Sequence, residues 1–248
     1  MTQFCMEIAG QSGQISPLFE STRVYFQKYI AQKTPDFSYT VTREALEFEQ
    51  EALRKEAEEE GMRFRTFTDP FLERASIQRA FAEHLLAKRT LLLHGSAIAA
   101  DGLGYLFTAK CGTGKSTHTR LWMQHLGNRA VMINDDKPFL RLDSDHVLIC
   151  GNPWSGKHGL DSNISVPLQG ICLLDRGPEN KISRMHPEEA LPMLLHQSYH
   201  PTDPKKTPLY QSLVEELASR IPLWHMECTK DPEAAQVACN AMSGGGNP

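Results

Sequence analysis

The sequence predicts an α/β core of mixed strands with flanking helices over residues 90–242, preceded by a small α+β region over residues 1–89. Three features carry that expectation. Two apolar runs, residues 91–99 and 104–109, flank Asp101-Gly102, a pairing that favours an antiparallel hairpin. A glycine-rich loop follows the second run at once and leads into a helix-compatible segment at 115–125. Beyond it, short apolar strands alternate with helical stretches as far as residue 242.

In chain order, residues 1–40 mix polar and aromatic side chains, and Val24, Phe26 and Tyr29 fit short strands. Residues 43–61 are rich in Glu and Ala and read as an exposed helix stopped by Gly61. Its Glu-rich face reads as a solvated surface. A second helix covers 69–88, with Asp69 as cap and Pro70 in the first turn. Phe71, Ile77, Phe81, Leu85 and Leu86 form one apolar face, expected to pack on the sheet that follows. Next come strands at 91–99 and 104–109, the helix at 115–125, and a strand at 130–133 that ends in Asn134-Asp135-Asp136. Strands are expected at 139–142 and 146–150, then a glycine-rich stretch at 151–159 and an apolar run at 164–175. Helices at 187–195 and 208–220, a strand at 222–228 and a helix at 232–242 complete the core, and 243–248 read as a flexible tail.

Composition narrows the function. The chain has 248 residues, 40% hydrophobic and 23% charged, in the range of ordinary globular proteins. Its net charge of −4 gives no support for a broad nucleic-acid footprint, which would call for a basic face, and leaves room for a local basic patch. The six cysteines form no C-x-x-C pair, so neither a zinc site nor a disulfide framework is expected, and reduced thiols fit the cytoplasm. The first ten residues do not resemble a signal peptide, and no apolar run is long enough for a membrane span.

The loop reads Ala109-Lys110-Cys111-Gly112-Thr113-Gly114-Lys115-Ser116, followed by Thr117. It fits G-x-x-x-x-G-K-[ST] with Ala109 in place of the first glycine. Gly112 and Gly114 permit the backbone angles that turn successive N–H groups toward phosphate oxygens. The start of a helix near Lys115 adds a positive dipole end. Lys115 is a point charge for the β- and γ-phosphates of a nucleotide, and the Ser116 hydroxyl suits a magnesium position. Cys111 reads as a small residue that fits the loop.

Asp135 and Asp136 follow an apolar strand about twenty residues past the loop. Phosphoryl transfer needs magnesium to neutralise charge and a group to take the proton of the attacking hydroxyl. Two adjacent carboxylates divide those roles, with Asp136 toward magnesium and Asp135 as base, although residue types alone leave the order open. Within 154–159, Gly156 and Gly159 permit unusual turns, Lys157 suits a phosphate, and His158 is a weaker candidate. His186, His196 and His200 lack metal spacing and read as surface or packing residues.

Taken together, His94-Gly95, Gly102-Leu103-Gly104, the loop through Lys115-Ser116 and Asp135-Asp136 resemble the catalytic domain of HPr kinase/phosphorylase. That family belongs with the phosphoenolpyruvate carboxykinase-like P-loop proteins. Residues 166–177, VPLQGICLLDRG, extend the likeness, which spans about a third of the chain. The resemblance implies an HPr kinase-like core, a role for His94 beside the transferred phosphate, Asp135 as acid/base and Asp136 on magnesium. It leaves room for a homo-oligomer, because the kinase it resembles forms rings. The family's later Pro-Gly-Arg-Asn-like segment and its further acidic metal ligand have no counterpart; residues 153–159 stand instead. The chain is thus closer to short bacterial relatives, and the implied acceptor is a serine-type hydroxyl on free serine, a peptide or a small protein. The implied donor is ATP or another nucleotide or phosphate donor, with Mg2+. Two readings follow: a kinase, or a nucleotide-binding switch of the same fold without catalysis. A carboxykinase is disfavoured, since those chains are much longer.

Overall fold

The structure, a computed structural model, describes residues 2–59, 61, 63–110 and 112–244. The chain divides into two compact units, Met1–Leu85 and Leu86–Pro248. Among the described residues no helix is long and apolar enough to cross a membrane.

The first unit is built on a three-stranded sheet. Strands β1 (Phe4–Ile8) and β2 (Gln11–Ser16) form an antiparallel hairpin, and β3 (Phe37–Thr40) runs parallel to β2. The hairpin turns through Ala9 and Gly10, both at positive φ, the geometry of a tight primed turn. The strand expectation for Val24, Phe26 and Tyr29 is corrected: Val24 lies in helix α1 (Glu20–Tyr25), and a 3-10 turn over Gln27–Tyr29 follows. The reason is tertiary. Glu73, fully buried, accepts hydrogen bonds from the Leu18 and Phe19 amides and the Thr22 hydroxyl, and so satisfies the orphan donors where α1 begins.

Helix α2 (Arg43–Glu59) forms where expected, and Gly61 follows at φ 65°. Its acidic face is not wholly solvated, because buried Glu49 pairs with Arg79 at 2.5 Å. Arg79 belongs to α3 (Asp69–Leu86). That helix belongs to the first unit and packs on the sheet that precedes it, which corrects the expected packing partner. The Phe81 ring meets Phe37 of β3 edge-on at 4.9 Å. Phe71 is exposed, and Leu86 alone of the five apolar residues enters the core of the second unit.

The second unit holds a nine-stranded mixed sheet. Its strands are β4 (Thr90–Leu92), β5 (Ser96–Ala100), β6 (Leu103–Thr108), β7 (Ala130–Asn134), β8 (Phe139–Leu142), β9 (Val147–Cys150), β10 (Ser165–Arg176), β11 (Lys181–Arg184) and β12 (Leu223–Cys228). The order is β4-β8-β9-β10-β6-β5-β7, with β12 also on β10 and β11 on β12. Its helices are α4 (Lys115–Leu126), α5 (Pro187–Gln197), α6 (Thr207–Arg220) and α7 (Glu233–Ser243). The last helix takes in Ser243, the first residue of the expected tail, and 245–248 lie outside the described residues.

Strand β10 is the spine. It begins antiparallel to β9, continues parallel to β6 and ends parallel to β12. Its side chains alternate between two cores, as a pleated strand requires. Ile171 and Leu173 join the core with Leu194 of α5 and Leu213 of α6. Cys172 and Leu174 face the other, with Trp122 of α4 and Ala235 of α7. Three parallel strands therefore finish together, β6 at the glycine-rich loop, β10 at Arg176 and β12 at Cys228. Ligands of α/β sheets gather at the carboxyl ends of such strands.

The hairpin at Asp101-Gly102 is present, with φ of 50° and 82°. The run 91–99 is not one strand. It breaks after Leu92, so that β4 pairs with β8 while β5 pairs with β6 and β7. At the break, Leu93 N–H donates to Pro138 O, His94 N–H to Gln197 O and Gly95 N–H to Asp136 O. Two segments, residues 136–138 and Gln197, satisfy the three amides, which lets the chain change neighbours without orphaned donors.

Candidate functional site

The glycine-rich loop leaves the end of β6 and enters α4. Ala109 is 1% exposed, and it is absent from the positive-φ residues other than glycine, so its methyl group fits an ordinary backbone angle. Gly112 and Gly114 sit at φ 74° and 124°, where a side chain would be strained. Gly114 is the N-cap of α4, so the first-turn amides of that helix open at the loop. The Lys115 ammonium donates to the Ala109 carbonyl at 3.1 Å, curled back over the loop. Lys110 and Thr117 are exposed, Thr113 and Ser116 half-buried, and Cys111 lies outside the described residues.

The acidic pair follows β7. Asp135 is 7% exposed, and its Oδ1 accepts the Ser96 hydroxyl at 2.6 Å. Ser96 Oγ lies 2.8 Å from Thr119 Oγ1 of α4. The single Ser96 proton serves the carboxylate, so Thr119 is the donor in the second bond. A hydrogen-bond chain thus runs from the helix behind the loop to Asp135. Asp136 is one-third exposed, with Oδ1 3.5 Å from His94 Nε2. Burial, then the charges of Lys115, Lys137 and His196, push His94 down to about 3. It is neutral near pH 7, and its contact with Asp136 is a long polar contact, not an ion pair.

Asn134 holds this corner. It is fully buried, and its Oδ1 accepts the amides of Asp136 at 2.9 Å and Lys137 at 2.6 Å. Its Nδ2 donates to the Asn152 carbonyl at 2.9 Å and is also 3.3 Å from that of Trp154. One side chain therefore ties the acidic turn to the segment that follows β9. Asn134→Ala leaves buried partners unsatisfied and is expected to cost about 2–4 kcal/mol, read as a lower midpoint in urea at unchanged slope.

Residues 153–159 close beside Asp136. Gly156 adopts φ 68°, and a β-carbon there would lie 3.2 Å from Asp136 Cβ, so this approach suits glycine. Ser155 Oγ donates to Asp161 at 3.1 Å. Lys157 and His158 are exposed on a 3-10 turn. Arg120 of α4 donates to His158 Nε2 at 3.1 Å and, through Nε, to the Ser116 carbonyl at 3.1 Å. The turn that carries Lys157 is thereby linked to the first turn of α4.

The structure thus brings together Lys115, His94, Asp135, Asp136 and the turn bearing Lys157. Sequence reading missed the parts played by Ser96, Thr119, Arg120, Asn134 and Lys137, and read His196, exposed but near His94, as an ordinary surface histidine. Lys137 carried a signal, since it directly follows the acidic pair; Ser96 and Thr119 carried none. Arg176, at the end of β10, donates to the carbonyls of Gly112 and, at 3.4 Å, Thr113.

Among the described residues no group of three or more His, Cys, Asp or Glu side chains is placed to hold a metal ion through protein ligands alone. Magnesium bound with substrate phosphates asks for less: one or two carboxylates, with water and phosphate oxygens filling the remaining positions. Asp136, about one-third exposed, offers one such carboxylate.

No family model matches the chain, and no curated protein matches it in sequence. Solved structures similar in fold include the HPr(Ser) kinase/phosphatase from Coxiella burnetii, at 11% identity and a TM-score of 0.37. The alignment covers 60% of this chain and 95% of that one. At those values the likeness is distant and carries nothing about function.

Proposed function

We propose that the second unit is an ATP-dependent phosphotransferase that moves a terminal phosphoryl group to a serine-type hydroxyl. One observation carries the reading. His94 lies against Asp136 and within the field of Lys115, so the loop ammonium and the acidic pair belong to a single cluster. A nucleotide's phosphates, a divalent cation and an acceptor hydroxyl need that convergence.

In this reading the loop amides and the start of α4 hold the phosphates, and Lys115 with Lys137 stabilises charge on the moving group. Ser116 and Asp136 hold magnesium, which when bound neutralises phosphate charge. The acceptor oxygen bonds to phosphorus as the bond from phosphorus to the bridging oxygen breaks and ADP departs. Asp135 takes the hydroxyl proton, oriented by the Thr119–Ser96 chain. Neutral His94 offers hydrogen bonding beside the transferred group without adding charge. Lys157 and its turn form the acceptor side. The acceptor is free serine, a serine peptide or a small protein.

Labelled ATP with magnesium, offered to free serine, serine peptides and small HPr-like proteins, tests this. Transfer to one of them is expected. Asp136→Asn should raise the magnesium concentration for half-maximal rate about tenfold, the effect of losing one carboxylate from a site that uses one or two. An unaltered magnesium titration removes that role. ATP binding without transfer to any acceptor would identify a nucleotide-binding switch.

A further inference from the structure

Beside the glycine-rich loop the second unit contains a cavity of about 170 Å³. Thr117, His118 and Leu121 of α4 line one part of it, and Arg176, Cys228 and Lys230, at and just beyond the ends of β10 and β12, line another. Loop residues 113 and 114 also border it, so the cavity is continuous with the phosphate loop. None of these side chains belongs to the cluster around Asp135 and Asp136.

We infer that this cavity receives the nucleobase of the nucleotide, an inference that rests on the proposed seating of the phosphates at 109–116. Its size supports one planar ring system. Whole drug-sized ligands occupy roughly 300 Å³ or more, and this space is well below that. Its walls suit a base as well. Leu121 and the His118 ring give an apolar surface, and the Arg176 guanidinium gives a flat, charged one. Arg176 also grips the carbonyls of Gly112 and Thr113, which places it where the nucleoside meets the phosphates.

His118 adds polar character behind the wall. It is 2% exposed and pushed down to about 4 by burial, so it is neutral at pH 7. Its Nε2 accepts the Trp122 indole N–H at 3.1 Å, so the ring proton sits on Nδ1. That buried Nδ1 has no hydrogen-bond partner. No recognisable base-reading motif announces any of this, because the lining comes from three separated stretches of sequence.

Cys228 makes the cavity measurable. Its thiol is part-buried and raised above the usual range by burial, so alkylation is slow and sensitive to what covers it. Full-length protein is treated with iodoacetamide alone, with ATP, or with inorganic tripolyphosphate, and Cys228 modification is followed by peptide mass spectrometry. ATP is expected to slow the reaction at Cys228 about tenfold, while tripolyphosphate, which has no base, changes it less than about twofold. Leu121→Trp, which enlarges a half-buried side chain on the cavity wall, should weaken ATP about tenfold and leave tripolyphosphate affinity unchanged, as expected when only the base is crowded out. Equal affinity for ATP and tripolyphosphate with Cys228 unprotected overturns the cavity assignment and leaves the phosphate site standing. Protection with full ATP affinity in Leu121→Trp overturns it too. Binding of neither compound removes both readings.

Discussion

Lys115→Ala is expected to abolish measurable nucleotide binding in a protein that stays folded. The two effects separate because the side chain is half-exposed and lies outside the hydrophobic core. Its hydrogen bond to the Ala109 carbonyl is worth about 1 kcal/mol. Alanine is also the strongest helix former, and residue 115 opens α4. Binding is different. In the proposed site the lysine is the loop's cation for the terminal phosphates, and removing one partner of a close, partly desolvated charge pair costs about 2–5 kcal/mol. That range corresponds to roughly 30-fold to several-thousand-fold in affinity. Calorimetric titration with ATP, alongside a urea unfolding curve, reads both quantities. Unchanged ATP affinity in folded Lys115→Ala protein would remove the phosphate site and everything built on it.

The second large effect belongs to Asp135. Asp135→Asn is expected to lower phosphoryl transfer by about 10²–10⁴-fold, the usual contribution of a general base, with ATP affinity nearly unchanged. The substitution is a clean one here. An asparagine oxygen still accepts the Ser96 hydroxyl, so the chain from Thr119 persists. What the amide cannot do is accept the proton of the attacking hydroxyl. Single-turnover transfer from labelled ATP gives the rate, and binding is measured separately. A rate within about threefold of the unaltered protein would assign the proton to another group or show that transfer needs no base here. The contrast with Asp136→Asn is informative, because that change should act through magnesium dependence and this one should not.

Much of the core was readable from local rules. Asp101-Gly102 marks the hairpin because its two residues tolerate positive φ, and both adopt it. Helices α2, α4, α6 and α7 follow the expected stretches within a few residues, since helical periodicity and breakers are local signals. The hairpin of β1 and β2 escaped notice because Ala9 occupies a position where asparagine or aspartate would signal the turn. Phe26 and Tyr29 look strand-like in isolation, yet a carboxylate far along the chain, Glu73, organises the preceding segment as a helix. The break at His94 was invisible for a similar reason, since its amide is satisfied by Gln197 and its neighbour's by Asp136.

By itself, the sequence determined the glycine-rich loop between a strand and a helix, the carboxylate pair after the next strand, and the α/β alternation around them. These depend on neighbouring residues, on periodicity, and on what glycine's backbone permits. Only the tertiary structure decided that His94 lies against Asp136, that Asn134 pins the acidic turn, and that α3 packs on the earlier sheet. It alone closed a cavity between α4 and the ends of β10 and β12. The physical reason is the same throughout: burial, electrostatic fields and hydrogen-bond satisfaction act through space, and their partners here lie tens of residues apart along the chain.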